Sequence, residues 1–136
     1  MEAARRMMQI IQGAFLFSIV LYTPMTKMLP ANVAPNVLIF KVLSLLAMAN
    51  VVIIFLVRQK LVKSAEQTLS AQPEDSDALA RWRTGYLITY AFSEAIALYG
   101  LVLHFMGFAF TQVLLFFIAG FVMILFYAPR RPAPAR

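Results

Sequence analysis

The sequence predicts an all-α integral membrane protein, a four-helix bundle of two antiparallel hairpins with N and C termini cytoplasmic. Three observations carry this. The 136 residues are 62% hydrophobic, with a mean hydropathy of +0.78, more apolar side chain than a soluble domain of this size can hide. The apolar residues fall in four runs, each long enough to cross about 30 Å of hydrocarbon. The basic residues flank those runs, the pattern of a membrane protein's cytoplasmic side.

The first span covers about residues 7–29. Arg5 and Arg6 before it resemble the start of a signal peptide. The apolar run that follows, about 20 residues or more, exceeds a signal core of about 7–15, so a retained first helix is expected. Gly13 and Pro24 lie within it, and a kink between Val20 and Pro24 is predicted. Pro30, Asn32, Pro35 and Asn36 form the next turn. The second span covers about 37–57, and good helix formers without a breaker extend it into water as far as Ala71. Pro73 stops this helix, and Ser76 or Asp77 caps the next. Residues 58–83 thus form a cytoplasmic helical hairpin, with Trp82 and Tyr86 placed for an interfacial aromatic belt. The third span covers about 84–106, a tight turn follows at Gly107, and the fourth covers about 108–127. Residues 1–128 make one transmembrane domain, and the proline-broken basic stretch 129–136 is expected to be a disordered tail.

Orientation follows from lysine and arginine. With the N-terminus inside, Arg5, Arg6, Arg58, Lys60, Lys63, Arg81, Arg83, Arg130, Arg131 and Arg136 are cytoplasmic, against Lys27 on the outer flank and Lys41 within a span. This predicts a multi-pass protein of the cell inner membrane. The net charge of +6 is explained by this flanking, so nucleic acid is not an expected partner. The chain has no cysteine, hence no disulfide or thiolate metal site. A faint internal repeat pairs Ala14-Phe15, Ile19 and Leu21-Tyr22 with Ala91-Phe92, Ile96 and Leu98-Tyr99, as in a parallel duplication.

The polar residues inside the spans are the candidate site. Glu94 is deepest, where a carboxylate costs about 2.5–3.5 kcal/mol to insert. It lies about 13 residues, near 20 Å, from the outer end of its helix, and Asn50 lies at nearly the same level on the antiparallel second helix. An Asn50–Glu94 hydrogen bond is therefore expected, with Ser44, Ser93 and Tyr90 as further partners. Lys41 and His104 are shallower, as a snorkelling anchor and an interfacial imidazole. Ala91 with Ala95, and Ser93 with Ala97 and Gly100, form small-residue stripes that permit close helix approach. No nucleophile–base set, paired-carboxylate site, nucleotide loop or metal cluster is legible. No catalytic residue, metal or cofactor is expected.

The run Glu94-Ala-Ile-Ala-Leu-Tyr99-Gly100-Leu101-Val102 resembles the ion-carrying helix of rotary-ATPase proteolipids, the c subunits. The resemblance implies that Glu94, followed five residues on by Tyr99 and then Gly-Leu-Val as in that family, carries a proton or sodium ion. It covers one helix of four. The family's glycine-rich inner helix has no counterpart, since the second span has no glycine and the first only Gly13. The whole layout, with its Glu-x-x-Ala-Leu-Tyr-Gly third helix, also resembles small, functionally uncharacterised four-helix bacterial membrane proteins.

The expected function is that of a small non-enzymatic membrane protein, a structural or accessory subunit in which Glu94 ties helices together. The alternative is proton or cation translocation through Glu94. The expected setting is the lipid bilayer, as a homo-oligomer or within a larger membrane complex.

Overall fold

A computed structural model describes residues 2–28 and 36–129. Among these all regular structure is helical. The four helices are α1 (Glu2–Met28), α2 (Val37–Ala71), α3 (Ser76–Phe105) and α4 (Phe110–Phe126). The first three are long and apolar enough to cross a membrane, whereas α4 is apolar but has 17 residues.

Local chemistry sets the boundaries. Pro24 lies inside α1 without ending it, so the expected kink site is helical throughout. Thr26 Oγ1 donates to the Thr23 carbonyl at 2.6 Å, using an acceptor beside the proline. Asn36 caps α2, its Oδ1 accepting from the Leu38 N–H at 2.9 Å. Pro30, Asn32 and Pro35 of the expected turn lie outside the described residues. The cap of α3 is Asp75, one residue before the expected Ser76 or Asp77. Asp75, with an extended backbone, accepts the Ala78 N–H at 2.9 Å, while Ser76 and Asp77 are already helical.

The α3–α4 turn explains why α4 is shorter than its apolar run. Gly107 takes φ 103°, a conformation that suits glycine. The Phe108 N–H reaches Leu103 O and the Gly107 N–H reaches His104 O, both at 3.1 Å. This Schellman-type closure consumes residues 106–109 before α4 starts, and Gln112 Oε1 accepts from the Ala109 N–H at 2.9 Å. At the far end the structure extends to a buried Pro129; the rest of the expected tail lies outside the described residues.

One feature of α2 has no breaker behind it. Arg58–Lys63 forms a π-helical segment between Val37–Val57 and Ser64–Ala71. The buried positions are Asn50 and Ile54 before it, Val62 within it, and Ala65 and Leu69 after it. The eight-residue step from Ile54 to Val62 would turn an α-helix about 80° off its contact face, and the wider π turn absorbs that rotation. Gly85 faces the segment: a Cβ there would stand 3.2 Å from Leu61 Cβ and 3.4 Å from Val62 N.

α3 is the central helix. It packs extensively against both α2 and α4, and less against α1. Its buried residues include Trp82, Tyr86, Thr89, Tyr90, Ser93, Ile96, Ala97 and Gly100. α1 also meets α4, but α1 and α2 do not approach within 8 Å, Cα to Cα, among the described residues. α2 reaches α4 and the turn before it through rings, with Phe40 at 5.1 Å from Phe108 in the turn and 5.9 Å from Phe116 in α4. One stripe of α3 stays uncovered, with Leu87, Ala91, Leu98 and Val102 exposed. Trp82 and Tyr86 do not form an outward aromatic belt. They are 0% and 1% exposed, packed on each other in the core.

Candidate functional site

Glu94 is half-buried on α3, between the exposed Ala91 and Leu98. Its Oε1 accepts a hydrogen bond from Tyr22 Oη of α1 at 2.7 Å. This is its one hydrogen bond among the described residues, so the expected Asn50–Glu94 bond is not formed. α1 and α3 are brought into this register by packing, with Phe15 stacked 6.0 Å from Tyr90 and Ile19 buried. The Tyr22 ring lies 6.3 Å from Phe117 of α4, so the phenol is held by apolar contact on one side and by the carboxylate at its tip.

Asn50 is 6% exposed on α2 and serves α3 separately. Its Nδ2 donates to the Phe92 carbonyl at 3.3 Å and, more weakly, to Tyr99 Oη at 3.5 Å. The carbonyl keeps a second lone pair for such a donor although it lies within a helix. Glu94 and Asn50 therefore occupy neighbouring levels of α3 but clasp different helices. The two tyrosines paired by the internal repeat, Tyr22 and Tyr99, are the phenols at these two contacts.

The other expected residues are dispersed. Ser93 is fully buried, its Oγ donating to the Thr89 carbonyl at 2.7 Å within its own helix. Its value is small size. Gly120 of α4 packs so close that a Cβ there would lie 2.7 Å from Ser93 O and 3.1 Å from Ala97 Cβ. Gly100 plays the same part against Phe116 and Val113. The Ser93–Ala97–Gly100 stripe thus faces α4, whereas Ala91 is exposed. Tyr90 Oη donates to the Tyr127 carbonyl at 2.8 Å, far from Glu94 in role. Ser44 lines an apolar groove between α2 and α4 with Phe40, Met48, Ile96, Leu115 and Phe116. Lys41 is exposed. His104 Nδ1 lies 3.0 Å from the Phe108 carbonyl. A carbonyl only accepts, so Nδ1 is the donor, and the imidazole braces the α3–α4 turn. Among the described residues no group of three or more His, Asp or Glu side chains could hold a metal ion.

Contacts not expected from the sequence include Tyr22 with Glu94, Gln12 Nε2 donating to the Ile124 carbonyl at 2.9 Å, and Arg58 over two tyrosine rings. The repeat, which pairs Tyr22 with Tyr99, was the one signal pointing at the first.

Fold and site together define an all-α protein of four helices, three of them of membrane-crossing length, whose interior polar groups join one helix to another. No family model matches the chain, and neither a curated protein nor a solved structure matches it. The likeness to proteolipids rests on the α3 residues alone.

Proposed function

We propose that this chain is a small multi-pass protein of the cell inner membrane, with both termini cytoplasmic, that acts without chemistry of its own as a structural or accessory subunit. The observation that carries this reading is the Tyr22–Glu94 bond. An intramembrane acid normally has a partner or a task, and here a phenol from another helix supplies the partner. Asn50 does the same for α2. The two contacts fasten α1 and α2, which do not meet, onto α3.

The experiment compares the full chain with Glu94→Gln and Glu94→Leu in liposomes. Glutamine keeps an acceptor for Tyr22, and leucine removes it. The expected result is proton and sodium flux at the level of protein-free liposomes for all three, with thermal stability lowered chiefly in Glu94→Leu. A flux in the parent chain that Glu94→Gln abolishes while assembly stays intact would overturn this reading in favour of ion translocation.

A further inference from the structure

We propose that Arg58, with the rings of Tyr86 and Tyr127, forms a receptor for a phosphate-type anion at the hairpin end of the bundle. The Arg58 guanidinium carbon lies 4.1 Å from the Tyr127 ring centroid and 5.0 Å from that of Tyr86. The side chain is half-buried, and its Nη1 is buried without an acceptor. It has no hydrogen-bond or ion-pair partner among the described residues. Arg81 differs, donating to Ser64 Oγ at 2.9 Å across the α2–α3 hairpin.

A partly desolvated guanidinium needs compensation. Two aromatic faces supply some of it, but they are no countercharge. They do hold the planar fork still. The Tyr86 ring is itself fixed, its Oη donating to the Ala128 carbonyl at 3.4 Å and its face packing 4.7 Å from Trp82, and the Tyr127 backbone is held by the bond from Tyr90 to its carbonyl. A guanidinium held in place without a carboxylate, on a side chain that is still partly exposed, is matched to the oxygens of a phosphate. The exposed Lys60 and Lys63 follow on the same π-helical segment and add long-range attraction.

Position selects the class of anion. Arg58 directly follows the apolar Val37–Val57 stretch of 21 residues, which at about 1.5 Å per residue spans roughly 30 Å, the thickness of the hydrocarbon layer. In a bilayer Arg58 stands at the phosphate layer, where basic clusters meet anionic headgroups. Phospholipid as the source rests on the membrane reading above; soluble phosphate does not.

The test uses the purified full chain in neutral detergent. Its thermal midpoint is followed with added phosphatidylglycerol, phosphatidylcholine or inorganic phosphate, and bound lipid is counted by native mass spectrometry. Phosphatidylglycerol is expected to raise the midpoint more than phosphatidylcholine. Its binding preference should fall about tenfold in Arg58→Gln, as loss of one charge-assisted hydrogen bond implies, and only partly in Arg58→Lys, which keeps the charge without the fork. Lys60→Gln should retain most of the preference. If inorganic phosphate alone reproduces the shift, the receptor stands and its source is soluble. Equal effects of the two lipids with no response to phosphate would overturn the proposal, as would equal losses in Lys60→Gln and Arg58→Gln. Because Arg58→Lys is expected to fold, its lipid count decides the matter should Arg58→Gln fail to assemble. Membrane fractionation of the parent chain separately reports failure of the membrane reading.

Discussion

A phenol can donate to a carboxylate, a carboxylic acid or an amide, most strongly to the first, so the Tyr22–Glu94 bond should survive in weaker form when a change at position 94 keeps an acceptor. Its strength is measurable by a double-mutant cycle. Tyr22→Phe removes the donor and keeps the ring that packs near Phe117. Glu94→Leu removes the acceptor and keeps bulk. Interhelical polar contacts in membranes average about 0.6 kcal/mol, with a maximum near 1.7, and the coupling energy from unfolding in detergent is expected in that range. A coupling of zero would mean that the bond does not tie α1 to α3. Depth counting along the sequence placed Glu94 and Asn50 at one level and paired them. That was reasonable for adjacent antiparallel helices, but Asn50 had a backbone carbonyl at Phe92 within reach. Tyr22 escaped notice because α1 and α3 run the same way. Their relative height is set by Phe15 on Tyr90 and by the buried Ile19, not by where each apolar run begins.

At the scale of elements, glycines divide into those that set helix separation and those that do not. Gly120 is of the first kind, because the atoms a Cβ would meet are the Ser93 carbonyl at 2.7 Å and Ala97 Cβ at 3.1 Å, neither free to swing away. Gly120→Ala should therefore push α4 from α3 and cost about 1–3 kcal/mol. Gly13, in the body of α1, meets nothing within 4 Å. Gly13→Ala should stabilise by roughly 0.5–1 kcal/mol through the helix alone. Thermal unfolding of both variants checks the pair, and equal effects would remove the distinction. The helices themselves were legible from apolar runs, prolines and caps, and the Ser93–Ala97–Gly100 stripe was recognisable as a contact surface. Which helix it faced was not, since small residues state how close a neighbour comes and not which neighbour. The π-helical segment at Arg58–Lys63 was hidden for a related reason. No glycine or proline marks it, and it exists because the contact faces on either side must both meet α3.

Across the whole molecule, α3 holds the bundle together and the others attach to it. The gap between α1 and α2 leaves α1 dependent on α3 and α4, through Tyr22, Phe15 and the Gln12–Ile124 contact. Whether α1 crosses the bilayer beside α3 therefore decides the architecture in a membrane. The proposed topology, drawn from the lysines and arginines, has the α2–α3 apex on the same side as the N-terminus and Lys27 opposite. The absence of cysteine makes this directly readable, because an introduced thiol is the only one. Glu74→Cys lies at the exposed apex and Lys27→Cys near the exposed end of α1. With a membrane-impermeant maleimide, Glu74→Cys should label in inverted vesicles and stay unlabelled in spheroplasts, and Lys27→Cys should do the reverse. Labelling of both from the cytoplasmic side would mean that α1 does not cross. The Tyr22–Glu94 bond, which joins α1 to α3 within the proposed bundle, would then have to form without a transmembrane α1.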